Sequence, residues 1–198
     1  IGRQAPVIQA DLMQPDQVDA LYEQSVQALG GLDILIANAS VQYREHWSDM
    51  THAQFLNQMN LNVYSTLRLI QLAAPAMLEQ QWGRIVSIGS AQEAKPVKDM
   101  MIYASTKVAQ THLIRNFAKQ FAAQGVTVNN LAPGAMLTDR NTEALSDLAY
   151  REVVLQTIPA RRFGEADDCV GTTILLCSEA GAYITGQSIY IDGGIEVN

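Results

Sequence analysis

Tyr103 and Lys107 stand four residues apart in the run Tyr-Ala-Ser-Thr-Lys. On a helix that spacing puts both side chains on one face. A free phenol titrates near pH ~10 and exchanges protons poorly at neutral pH. A lysine ammonium about 4 Å away, at an effective dielectric near ~20, favours the phenolate by up to ~4 kcal/mol. The expected outcome is a phenol pKa lowered by roughly two to three units, toward the range useful for acid–base catalysis. Of the seven tyrosines, only Tyr103 has a lysine at this offset. An isolated pair of this kind reads first as a partly exposed Tyr beside a solvated Lys, and the surroundings change that reading. Ser90 lies 13 residues upstream, directly after an apolar run at 84–88. A loop there can carry its hydroxyl over the start of the next helix, where it is a candidate to hold a substrate oxygen while Tyr103 moves a proton. Asn62 falls within a long helical pattern, where an Asn either faces solvent or bends the helix and holds a water.

The elements that must position these residues alternate between short apolar runs and amphipathic stretches. Residues 7–10 read as a strand ending at Asp11. Pro15 opens a helix with Val18, Leu21, Tyr22, Val26 and Leu29 at helical spacing, stopped by Gly30 and Gly31. Residues 33–37 read as a strand buried on both faces. Thr51 and Gln54 form a capping-box signature that opens a helical region to about residue 80, broken or bent near 60–62. Strands are expected at 84–88, 126–131 and 188–192, and helices at 101–124 and 167–179. Residues 135–162 are polar and irregular, with the length and position of a lid over a site; a long surface excursion is the plainer reading. The alternation predicts an α/β fold: one doubly wound parallel sheet, Rossmann-like and three-layered, in a single domain over 1–198. In such sheets ligands sit beyond the carboxyl ends of the strands. That rule singles out Asp11, residues 38–40, Gly89, Ser90 and residues 132–138.

Composition narrows the function. The chain has 198 residues, 48% hydrophobic and 17% charged, as in ordinary globular proteins. A net charge of −7 disfavours nucleic-acid binding, which needs clustered Lys and Arg. No apolar run approaches the ~18 residues of a membrane span. Cys169 and Cys177 belong to no Cys-x-x-Cys or Cys/His cluster, and His46, His52 and His112 show no metal-ligand spacing. No metal site and no disulfide framework are expected, and a reducing, cytoplasmic location is.

With their flanks, the chemistry-bearing residues resemble the short-chain dehydrogenase/reductase family over essentially the whole chain. Asp33-Ile-Leu-Ile-Ala-Asn38-Ala39-Ser40 is similar to its strand-plus-Asn-Ala-Gly signature, and Asn62 in Leu-Asn-Val to its active-site Asn. Gly-Arg-Ile-Val-Ser-Ile-Gly-Ser at 83–90 resembles the segment ending in its active-site Ser, and Tyr103 with Lys107 its Tyr-x-x-x-Lys. Pro133-Gly134-Ala-Met-Leu-Thr138 resembles its nicotinamide loop, and Thr185-Gly186-Gln187 with Asp192-Gly193-Gly194 its C-terminal end. The resemblance implies Tyr103 as proton donor for carbonyl reduction and base for alcohol oxidation. It implies Lys107 as the residue that lowers the Tyr103 pKa and holds the nicotinamide ribose. Ser90 then orients the substrate oxygen, and Asn62 positions a water linking Lys107 to solvent. Asn38 and Ala39 lie beside the cofactor, Asp11 meets the adenine edge, and Pro133, Gly134, the Met136 backbone and Thr138 meet the nicotinamide end. The implied cofactor is NAD or NADP, undecided because the strand that reads the ribose 2′-position is not in the sequence.

Two departures stand out. Ser40 takes the place of a Gly, which permits close backbone approach to a cofactor, and Ser87 the place of a frequent Asn. The family's glycine-rich turn, which brings backbone N–H groups to the cofactor diphosphate, is not supplied here. Roughly 50 upstream residues carrying the first two strands are therefore expected. The substrate-side resemblance is closest to the gluconate 5-dehydrogenase and sugar-acid branch. Arg44 is a candidate bidentate clamp for a substrate carboxylate or, equally, a surface Arg paired with Glu45. Lys95, Lys98 and Arg140 are weaker anion-binding candidates. The favoured activity is hydride transfer between NAD(P) and a secondary alcohol or ketone of a sugar acid. Alternatives are a 3-oxoacyl-thioester reductase and, in another class, a non-catalytic dinucleotide-binding protein. The apolar faces of the two long helices, and the resemblance, imply a homo-oligomer, dimer or tetramer.

Overall fold

The computed structural model describes residues 5–197. Helix α1 (Pro15–Leu29) comes first, with Pro15 in its opening turn and Gly30 closing it at φ 80°. The Gly30 N–H donates to the Val26 carbonyl at 2.8 Å. Four parallel strands then build one sheet in the order β1 (Ile34–Ala37), β2 (Gly83–Ile88), β3 (Val126–Pro133) and β4 (Ser188–Ile191). Parallel neighbours need long crossovers, and helices supply them. Helices α2 (His52–Met59) and α3 (Ser65–Glu79) join β1 to β2, and α4 (Met101–Phe121) joins β2 to β3. Helices α5 (Asp139–Ser146), α6 (Leu148–Thr157) and α7 (Val170–Leu176) lie between β3 and β4.

Strands β2 and β3 are covered on both faces. Strand β1, expected to be buried on both, buries only Leu35 and Ala37 and leaves Ile34 40% and Ile36 45% exposed, because it is an edge strand among the described residues. On one face Ile85, Val126 and Val128 pack against Ile70 and Met77 of α3, Ile114 of α4 and Val18 of α1, all at most 1% exposed. On the other, Val86 and Leu131 meet Leu176 of α7. Each such side chain contributes roughly 1.5–3 kcal/mol on burial. This is the three-layered, Rossmann-like architecture expected from the sequence.

The expected capping box is formed: Gln54 N–H donates to Thr51 Oγ1 at 3.2 Å, and Thr51 N–H to Gln54 Oε1 at 2.9 Å. The expected break in the long helix is a single π-helical turn, Asn60–Tyr64, between α2 and α3. Such turns insert one extra residue and re-aim the side chains they carry.

The expected strand at 7–10 is not one. These residues join no ladder, and Val7 is 95% exposed. A strand exists only where another backbone completes its hydrogen bonds. Among the described residues none does, and β1 is the edge of the sheet on that side.

Candidate active site

Because all four strands run the same way, the loops that leave β1, β2 and β3 meet at one end of the sheet. They open on a cavity of about 670 Å³ lined by Asn38, Ser40, Ser90, Tyr103, Thr138 and Arg140, among others. Tyr103 sits in the first turn of α4, with its side chain buried against the β2 end. One turn later Lys107 is 1% exposed, its Nζ 5.7 Å from the Tyr103 ring centroid. That amine donates to the Ile88 carbonyl at 2.7 Å and to Gln110 Oε1 at 3.0 Å. Gln110 in turn donates through Nε2 to Thr66 Oγ1 at 3.0 Å, fixing α4 to α3.

Ser90 caps a short turn, Ala91–Glu93, its Oγ accepting from the Gln92 N–H at 3.2 Å. The Glu93 carboxylate accepts from the Ser90 N–H at 3.0 Å, from Asn130 Nδ2 at 3.0 Å and from Ser188 Oγ at 3.2 Å. Strands β3 and β4 thus hold the loop that presents Ser90. Gly89 passes between these groups, and a Cβ there would run into the Glu93 carboxylate and the Asn130 amide. Gly89→Ala is therefore expected to displace Ser90 and lower kcat/KM by about 100-fold, since a misplacement near 1 Å has that effect. The unfolding free energy should fall by only about 1–3 kcal/mol. Steady-state kinetics beside urea unfolding check this; unchanged kinetics would show that the loop is not held through Glu93.

Asn62, within the π turn, is fully buried. Its Oδ1 accepts from the Val41 N–H at 2.9 Å, and its Nδ2 donates to the Val41 carbonyl at 2.9 Å and to Thr106 Oγ1 at 3.0 Å. It fastens the loop after β1 to α4 at the residue before Lys107. Its side chain is thereby committed to protein groups rather than to the water expected of it from the sequence, and its backbone carbonyl accepts from Thr66 Oγ1 at 3.4 Å.

A family model described as enoyl-(acyl carrier protein) reductase matches residues 1–196. The chain belongs to the short-chain dehydrogenase/reductase family. It is 34% identical over 188 residues to the 3-oxoacyl-(acyl-carrier-protein) reductase of Staphylococcus aureus, covering 95% of this chain and 76% of the relative. It is 35% identical over 197 residues to the 7alpha-hydroxysteroid dehydrogenase of Escherichia coli, covering 98% and 75%. A gluconate 5-dehydrogenase from Burkholderia cenocepacia, solved with NADP and tartrate, superposes with a TM-score of 0.90 at 29% identity over 95% of this chain and 74% of that one. A 3-oxoacyl (acyl-carrier-protein) reductase from Agrobacterium tumefaciens, solved with NADP, gives 0.87 at 36% identity over 92% and 71%. These relatives are oxidoreductases, and this short-chain dehydrogenase/reductase is one as well.

Its electrostatics differ from the expectation of a lysine-acidified phenol. Burial pushes the Tyr103 phenol above its ordinary value. The positive charge of Arg140 and the hydroxyls of Ser90 and Ser40 pull it down, and the Glu93 carboxylate pushes it up. Lys107 is itself drawn down to about 7, first by burial and then by Arg140, with Glu93 opposing. The correction has a geometric reason: Nζ is turned to Ile88 and Gln110 and is half neutral near pH 7. At neutral pH Tyr103 carries its proton and is poised to donate it.

The other expected residues divide by position in this dehydrogenase/reductase. Asn38, Pro133, Gly134, Met136 and Thr138 line the main cavity. Ala39, together with Asn38, lines a second cavity of about 220 Å³ on the β1 side. Asp11 lines neither, and its carboxylate accepts from the Met13 N–H at 3.0 Å. Arg44 borders the main cavity, but it is paired with Asp99 at 3.0 Å and lies 5.7 Å over the Tyr150 ring. The irregular 135–162 stretch folds into α5 and α6, whose residues Asn141, Leu145 and Tyr150 form one wall of the cavity. Sequence reading missed Gln110, Glu93 and Asn130. Gln110 was within reach, since it stands three residues after Lys107 on the same helical face.

Proposed function

We propose that the protein interconverts a secondary alcohol and a ketone on a polyhydroxylated acid such as gluconate, with NAD or NADP as partner and Tyr103 as general acid–base. The observation that carries the reading is that the Tyr103 phenol and Ser90 line one cavity, large enough for a nicotinamide riboside and a small substrate, with the Ser90 hydroxyl pulling the phenol pKa down. A nicotinamide dinucleotide, when bound, supplies or accepts the hydride. The residues present fit its nicotinamide half. Thr138 lines the cavity at the start of α5 with a hydroxyl that caps no helix N–H, and the Pro133–Met136 backbone borders the same space. Lys107 lies one turn below Tyr103 with its amine on the Ile88 carbonyl and Gln110, and would meet a ribose hydroxyl by turning from them toward the cavity. Ser90 holds the substrate oxygen, Tyr103 gives or takes its proton, and Asn62 keeps the loop after β1 and the Lys107 turn together. Helices α5 and α6 act as a lid that excludes water.

A polyhydroxylated substrate is supported by the polar side of the cavity, where Ser40, Gln42, Gln92 and Asn141 offer hydrogen bonds. The NADP and tartrate in the Burkholderia cenocepacia neighbour point the same way. A second reading, reduction of 3-oxoacyl thioesters, is favoured by the opposite wall, formed by Met100, Leu145, Val153 and Val154. We further place the protein in a reducing cytoplasm, as a dimer or tetramer paired through the exposed Phe55 and Leu56 of α2 and Met101 and Val108 of α4.

A panel of gluconate, related sugar acids and a 3-oxoacyl thioester, read by nicotinamide absorbance, tests the proposal. Turnover of the sugar acids by a species heavier than 21.7 kDa in sedimentation is the expected result. Turnover of the thioester alone would replace this reading with the second one.

A further inference from the structure

We propose that Arg140, seated on Ser40, receives the carboxylate of the substrate and so selects hydroxy acids over neutral alcohols at this site. The inference rests on the sugar-acid reading above and names the group that would enforce it. Arg140 Nη1 donates to Ser40 Oγ at 2.8 Å, and Nη2 donates to the Ser40 carbonyl at 2.7 Å. The contact joins the start of α5 to the loop after β1 across the mouth of the cavity that both residues line. A guanidinium has five N–H donors. Three therefore remain, enough for a planar acceptor such as a carboxylate.

The charge itself is uncompensated. Among the described residues four ion pairs form, and Arg140 is in none of them. Arg44, the other arginine on this wall, is already neutralised by Asp99. Glu93, the carboxylate felt at Tyr103 and Lys107, is committed to the Ser90 N–H, Asn130 and Ser188. A cation at a partly enclosed cavity with no carboxylate paired to it attracts an anionic ligand.

Placement ties that anion to the reaction. Ser40 bonds to the Arg140 guanidinium and lines the same cavity as Tyr103, near enough for its hydroxyl to pull the phenol pKa down, so the anion receptor and the proton donor face one space. A ligand with its carboxylate on Arg140 and its reacting oxygen on Tyr103 is a compact hydroxy acid. A cofactor diphosphate fits less well, because a whole ribose separates it from the reacting ring. Ser40 also stands where the family pattern has Gly, which offers no hydroxyl to seat an arginine.

Gluconate and tartrate, each beside its neutral amide, supply the test, with NADPH binding followed separately by fluorescence. Arg140→Gln is expected to raise KM for the acids by about 10- to 100-fold, the span of a charge-assisted hydrogen-bond pair. The acid-to-amide ratio of kcat/KM should fall by the same factor, because loss of the Arg140 charge at Tyr103 affects acids and amides alike, and NADPH affinity should stay within about threefold. Arg140→Lys should recover part of the loss, and Ser40→Gly should show a smaller loss in the same direction. Unchanged acid-to-amide selectivity in Arg140→Gln overturns the inference and leaves the sugar-acid reading standing. So does a loss confined to NADPH binding, which would assign Arg140 to the cofactor. Absence of Tyr103-dependent turnover of any acid or amide overturns the sugar-acid reading and this inference with it.

Discussion

Replacing Tyr103 with Phe is expected to lower kcat/KM by about 1,000-fold, within the range that general acid–base groups contribute. The fold should survive. The ring is buried at the start of α4, and Phe fills the same space without its hydroxyl. That hydroxyl faces Ser90 and Ser40 and closes no helix or strand ladder. Nicotinamide-coupled kinetics measure the loss, and circular dichroism with urea unfolding measures the fold. A variant that keeps a tenth of the starting activity would remove Tyr103 from the reaction. The direction of the phenol shift adds a sign to the prediction. Burial holds the Tyr103 pKa above its usual value, so the protonated form dominates across neutral pH. Carbonyl reduction, which consumes the proton, should be fastest at neutral pH and fall as pH rises. Alcohol oxidation, which needs phenolate, should rise with pH through the alkaline range. Tyr103→Phe should flatten both trends.

What the sequence made legible follows from the range of the interactions involved. Strands β2 and β3 announced themselves through short β-branched and apolar clusters, Ile85, Val86 and Ile88 in one and Val126, Val128 and Leu131 in the other, bounded by glycines. The boundaries of α1 and α2 were written in Pro15, Gly30, Thr51 and Gln54, all local signals. The break near 60–62 was visible because Asn62 stands inside a helical pattern, where an Asn that does not face solvent can bend the helix. The failures are non-local. Residues 7–10 have strand character, but character does not supply a pairing partner. The state of Arg44 depended on Asp99, 55 residues away, and that of Arg140 on Ser40, 100 residues away. The Glu93 bonds to Asn130 and Ser188 span 37 and 95 residues, and no spacing rule reaches so far. The Tyr103–Lys107 pair shows both sides of this. Four-residue spacing placed the two groups on one face, but the direction of Nζ was set by the carbonyl at the end of β2.

That direction makes Lys107→Met the most informative substitution for stability. Activity should fall by about 100- to 1,000-fold, because the amine beside the phenol is lost. The cofactor-free protein should nevertheless become more stable than wild type on the acid side of neutrality. Lys107 is buried and its pKa is lowered to about 7, whereas an unfolded lysine titrates near 10.5. Between those values the unfolded chain binds a proton that the folded chain does not. Wild-type stability therefore rises with pH across that window, and below it the full burden of a buried ammonium remains. Met carries no such burden at any pH. It does leave the Ile88 carbonyl and Gln110 Oε1 without their donor, a loss of about 1–3 kcal/mol. Urea unfolding of both proteins at about pH 6 and about pH 9 should show the wild type gaining about 3 kcal/mol on the variant. The variant leads at the lower pH, and its lead shrinks or reverses at the higher one. A pH-independent difference would mean that Lys107 keeps an ordinary pKa in the folded chain. The lysine is then held at the expense of stability, buried one turn from Tyr103 with its amine tied to the end of β2.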